Sequence, residues 1–159
     1  SLIEILVVIA LFAIITLVAA QSLLSSLKGA RKTDSSSRVR TDLDFAFQIM
    51  ERHLHNAKTV VCTNSQRIDY TDQTGGAGSF YYVAGSGANP DSYIASASAT
   101  NRLTNSNVLI SSATFTCTIP TSISNPPSVN IILTATDKTS AGSEGSTVTT
   151  STTILLRTY

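Results

Sequence analysis

Ser1-Leu2-Ile3-Glu4-Ile5-Leu6-Val7-Val8-Ile9-Ala10-Leu11-Phe12-Ala13-Ile14-Ile15-Thr16-Leu17-Val18-Ala19-Ala20 opens the chain, and its reading decides the architecture. Over residues 5–20 nothing is more polar than Thr16, and residues 2–27 contain neither Pro nor Gly. This composition predicts a helix, and residues 5–24 suffice to cross a hydrocarbon core of about 30 Å. Glu4 is the lone carboxylate at the edge of this run. A charge in lipid is costly and usually has a task or a partner.

Outward from this segment, the 159 residues leave room for one small domain with a single core. The net charge of +1 makes no strong electrostatic claim on nucleic acid or acidic surfaces. Charged residues are only 13%, below the usual quarter, so Ser, Thr and Asn must supply the polar surface of the second half. Cys62 and Cys117 are the two cysteines. Bridged, they close a loop of about 55 residues, worth about 4 kcal/mol in chain entropy. Two separate buried thiols are the alternative.

The first segment lacks the basic leader of a cleavable signal peptide, although Ala19-Ala20 resembles a cleavage site. Lys28, Arg31 and Lys32 follow it and by themselves favour the cytoplasmic side. The cysteines and the Thr-rich second half favour the outside. Removal of a short basic leader ahead of Ser1 reconciles the two.

Beyond residue 27, Gly29 and Thr33-Asp34-Ser35-Ser36-Ser37 either kink the helix or form exposed turns of one long helix. Val39, Leu43, Ala46, Phe47, Met50, Leu54, Ala57 and Val61 then share one helical stripe that packs on a sheet. Phe45 and Ile49 lie off that stripe, four residues apart, as candidate contacts with a neighbouring molecule or as peripheral core. Past Cys62 the pattern predicts strands over 67–70, 79–84, 92–94, 108–111, 114–119, 129–136 and 147–157, with turns at 74–78 and 85–90, a break at Asn125-Pro126-Pro127 and a loop over 137–145. The Thr-rich end reads as a half-buried strand rather than low complexity. The fold class is α+β: a long N-terminal helix packed on an antiparallel sheet. Its three segments are an apolar helix (1–27), a linker with an amphipathic helix (28–61) and a β-rich head (62–159).

Ser1-Leu2-Ile3-Glu4-Ile5-Leu6-Val7-Val8-Ile9-Ala10 resembles the mature N-terminus of type IV pilins and of the pseudopilins of type II secretion systems. In that family a prepilin peptidase cleaves before a residue that is then N-methylated, and the glutamate is the fifth mature residue. Glu4 is fourth here, so the resemblance implies that one residue, an N-methylated Phe, precedes Ser1. It covers about the first 25 residues; the rest matches in organisation only. The family's frequent proline near its twenty-second residue is missing, which leaves any helix melting during assembly to weak propensity over 21–29.

The resemblance implies a pilus subunit, with Ser1 and Glu4 in assembly. The partners expected are other copies of the chain through their N-terminal helices, the prepilin peptidase and pilus assembly machinery, and the inner membrane before assembly. Adhesion, twitching motility and DNA uptake are the roles such a filament serves. A minor pilin or pseudopilin of a periplasmic fibre is the second reading, and a membrane-anchored binding module that never polymerises the third. No cofactor, metal site or enzymatic activity is expected. His53 and His55 sit two apart on a helix and point in different directions. Asp69 and Asp72 before Gly75-Gly76 do not follow an EF-hand spacing, and a solvated turn is the simpler reading. No serine is accompanied by a recognisable base and acid. No Asn-x-Ser/Thr sequon occurs, and the Ser and Thr surface selects no site for O-linked sugars. Tyr70, Tyr81, Tyr82, Tyr93 and Tyr159 are sheet or surface residues that a filament could use for adhesive contacts. Eleven basic residues against ten acidic ones give weak DNA or surface binding at most, repeated along a filament.

Overall fold

The computed structural model describes residues 1–87, 90–96, 98–118, 126–140 and 145–157, the side chains of 98–100 excepted. The predicted strand end at Ile119, the break at Asn125, the middle of the 137–145 loop, part of the 85–90 turn and Tyr159 lie outside the described residues.

One helix, α1, runs from Leu2 to His55 without interruption. At 1.5 Å per residue its 54 residues span about 80 Å. Gly29 and the serine run do not break it, so they are turns of one long helix. Local hydrogen bonds explain part of this. The hydroxyls of Thr33 and Thr41 donate to the carbonyls of Gly29 (3.0 Å) and Ser37 (2.9 Å), one turn back. They are thereby satisfied within the helix instead of competing with it.

The amphipathic stripe is buried as predicted at Val39, Leu43, Ala46, Phe47, Met50 and Leu54, and burial begins at Ser35. The stripe stops earlier than periodicity suggests. Asn56 forms the C-cap, its side-chain amide donating to the Arg52 carbonyl at 3.0 Å. Ala57 is buried beyond the helix, and Val61 is exposed on a strand. The β-branched run Thr59-Val60-Val61 is stiff at χ1 and suits a pleated surface better than a helix.

Among the described residues eight strands follow: β1 (Thr59–Asn64), β2 (Arg67–Thr71), β3 (Ala77–Val83), β4 (Tyr93–Ser96), β5 (Ser98–Arg102), β6 (Val108–Thr118), β7 (Ser128–Asp137) and β8 (Thr147–Leu155). They form two antiparallel sheets, a five-stranded meander β1-β2-β3-β4-β5 and a three-stranded sheet β6-β7-β8. The predicted architecture of a helix on antiparallel strands holds, with the strands divided between two sheets. The two short strands expected over 108–111 and 114–119 are one strand. A register shift between Ile110 and Ser112 makes Ser111 the extra residue of a bulge, which interrupts the period without ending the pairing.

The helix stripe, Ile68, Phe80 and Ile94 of the first sheet, and Ile110, Phe115, Ile131 and Leu133 of the second make one core. Tyr70 stacks on Phe80 with ring centroids 5.2 Å apart. It also lies over its cross-strand neighbour Gly78, where a Cβ would run into the Tyr70 ring. The glycine is needed for this close approach.

The sheets are tied by backbone and covalent links. The Phe115 N–H donates to the Ser65 carbonyl at 2.8 Å, and the Ile110 N–H to the Ser92 carbonyl at 3.0 Å. Cys62 on β1 and Cys117 on β6 are disulfide-bonded, with Cα atoms 5.8 Å apart. Arg102 braces the other end of β6, at Val108. Its guanidinium donates to the carbonyls of Thr104, Asn105 and Val108, pairs with Asp91 at 3.3 Å and covers the Tyr93 ring.

Replacing Cys62 and Cys117 with Ser should lower unfolding stability by about 2–4 kcal/mol, read by urea titration in detergent at constant pH. Equal midpoints for both proteins would show that the bridge does not constrain the unfolded chain.

Candidate assembly helix and its junction with the head

Along α1 no residue before Ser35 is buried. Thus about 33 residues, or about 50 Å of helix, project from the head. Sixteen large apolar side chains from Leu2 to Leu27 are each more than half exposed, from 53% at Val7 to 87% at Leu2. The helix is long and apolar enough to cross a membrane. Its backbone is satisfied internally, and Thr16, the most polar residue of the run, donates its hydroxyl to the Phe12 carbonyl at 2.8 Å. The Thr16 hydroxyl therefore has a partner before lipid is considered.

Glu4 stands at the far tip. Its Oε2 lies 3.5 Å from the Ser1 nitrogen, one helical turn away, and both groups are exposed.

The two off-stripe candidates on the lower helix separate. Phe45 is 56% exposed and borders a groove of about 440 Å³ lined by Arg38, Thr41, Asp42, Asn105 and Val108. Ile49 is half-buried and packs against the core, so it is peripheral core. The asymmetry follows from the sheets, which reach the Ile49 side and leave the Phe45 side open.

Charged groups clamp the helix where it enters the head. Arg38 Nη2 lies 2.8 Å from Asp34 and 3.8 Å from the buried Asp137 at the end of β7. Asp137 also accepts from the Thr139 N–H (2.8 Å) and hydroxyl (2.6 Å). Burial alone would raise the Asp137 pKa, but the Thr139 hydrogen bonds and the Arg38 charge outweigh it and hold the carboxyl below the usual range. One turn further, Asp42 accepts the Asn105 N–H with both oxygens at 3.0 Å. There burial wins over the Asn105 bond and Arg102, and the pKa rises. Sequence reading missed Arg38, Asp137 and Asp42, because nothing in the local pattern places a helix residue against a loop a hundred positions away.

The remaining candidates serve structure. The His53 ring lies 5.7 Å from Tyr70 and 6.0 Å from Phe80, and His55 Nδ1 meets the Leu155 carbonyl at 3.1 Å. Asp69 pairs with Arg67 and Thr63, while Asp72 closes the turn by accepting from Thr74 and Gly76. Each carboxylate thus serves its own donors. Among the described residues no three His, Cys, Asp or Glu side chains gather as a metal site. Tyr70, Tyr81, Tyr82 and Tyr93 are half-buried sheet residues. The chain matches no protein-family profile, no curated protein and no solved structure.

The lowered Asp137 pKa fixes a sign. Its contribution to stability is complete above the unfolded value of about 3.9 and is lost as pH falls through the folded value. Asp137→Asn should therefore destabilise the head at neutral pH and flatten part of the acid loss below about pH 4. Parallel stability–pH curves for the two proteins would contradict the clamp.

Proposed function

We propose that this chain is the subunit of a type IV pilin-like filament. The observation that carries the reading is one unbroken helix with two opposite demands. Residues from Ser35 onward are covered by the chain's own sheets, while the apolar arm over 2–27 has no cover from the chain and carries Glu4 at its tip. Lipid of the inner membrane covers the arm before assembly, and neighbouring helices cover it afterwards. The apolar area passes from lipid to protein without facing water. A staggered, heterologous contact that does not close into a ring grows into a helical filament.

In this reading Glu4 pairs with the N-terminal amine of an adjacent copy. The pair contributes little net energy once desolvation is counted, yet it punishes misregister, because an unpaired carboxylate in the apolar bundle is costly. A prepilin peptidase matures the N-terminus, and the assembly machinery draws the subunit from the membrane. The bridged, Thr-rich head then forms the filament surface that acts in adhesion, motility or DNA uptake. Abundance separates the major subunit from a minor pilin or pseudopilin: a dominant band in sheared surface filaments belongs to the former.

Glu4→Ala should leave membrane insertion intact and strongly reduce filament yield counted by electron microscopy. Normal filaments from this variant would sink the assigned role. Phe45→Ser should shift head stability by no more than about 0.5 kcal/mol, because the ring is mostly exposed, yet reduce filament yield or shear resistance. Unchanged filaments would remove Phe45 from the subunit contact.

A further inference from the structure

Between the apolar span and the head, residues 28–40 hold five basic residues, Lys28, Arg31, Lys32, Arg38 and Arg40, against the single acid Asp34. Asp34 and Arg38 are paired with each other at 2.8 Å. The helix is continuous through this region, so the geometry of the other charges is set. Lys28, Arg31 and Lys32 stand at i, i+3 and i+4 and share one face. Ser35 and Val39 continue that face upward into the head, so the three bases lie on the side of the arm that the head overhangs. All three are exposed.

Their height is equally specific. Counting from Leu24, they fall about 6–12 Å beyond the apolar span. That is the headgroup layer of a bilayer whose hydrocarbon ends near Leu24. Long basic side chains at such a position extend their stems along the apolar boundary and place their charges among phosphates. Net charge over residues 28–32 is +3 in a chain whose total is only +1. The charge is therefore concentrated where a membrane surface would meet it.

We propose that Lys28, Arg31 and Lys32 form a collar that binds anionic phospholipid headgroups of the leaflet on the head's side of the membrane. A basic residue near an acidic leaflet favours it by about fivefold in association, and the effect falls within a Debye length. The collar thereby fixes the depth of the helix and retains the subunit in acidic lipid. The proposal rests on membrane insertion of residues 5–24 and not on polymerisation.

The test uses the full chain reconstituted in vesicles with spin-labelled phosphatidylglycerol or phosphatidylcholine, and reads the motionally restricted lipid fraction by electron paramagnetic resonance. The native chain should prefer phosphatidylglycerol several-fold at low ionic strength, and the preference should shrink toward unity in high salt. Lys28→Gln/Arg31→Gln/Lys32→Gln should abolish it, Lys28→Gln alone should reduce it, and Lys28→Arg/Lys32→Arg should retain it, with helicity checked by circular dichroism. No preference in the native chain, or the same preference in the Gln variants, overturns the collar. Loss of preference in inorganic phosphate but not in chloride of equal ionic strength also overturns it, in favour of a free-phosphate site. Lipid preference accompanied by normal filaments from Glu4→Ala would remove the Glu4 assembly role and keep the collar.

Discussion

Burial of one helical stripe holds the molecule together. Val39, Leu43, Ala46, Phe47, Met50 and Leu54 are each less than a tenth exposed, and the two sheets meet on them. Without the stripe neither the meander nor the three-stranded sheet has a complete hydrophobic face. Because α1 is unbroken, the same packing fixes the direction in which the apolar arm leaves the head. A helix kinked at Gly29 would have uncoupled the two ends.

The electrostatic contacts refine this arrangement without competing with it. Asp137 and Arg38 grip the helix at the level of Ser35, and Asp42 grips the 105 loop one turn further on. Arg102 and Asp91 tie the same loop to the first sheet. The Cys62–Cys117 bridge then joins the sheets at their facing edges. Burial provides the driving force, while these polar links select which loop lies against which turn of the helix.

Periodicity and composition carried much of the architecture. The apolar run, the stripe over 39–54 and the closing Thr-rich strand were legible because each rests on local pattern, while the cysteine pair stood open between a bridge and two thiols. The failures are also physical. Periodicity carried the helix to Val61, since Ala57 and Val61 keep the 3.6 spacing, but cap and strand propensity ended it at His55. The bulge at Ser111 hid the continuity of β6. Strand β5 escaped because Ser98–Arg102 is polar and takes its order from pairing with β4.

The candidate site divides in the same way. Residue order by itself determined an apolar span with a carboxylate at its tip and three basic residues beyond it, because these depend only on composition and helical rise. It also marked Phe45 and Ile49 as equals. The tertiary structure alone separated them, leaving Phe45 open and drawing Ile49 toward the core. It alone divided the strands into two sheets and brought Asp137 and Asn105 to the helix. Those relations join residues tens to a hundred positions apart, and such distances are set by packing of the whole chain rather than by any local period.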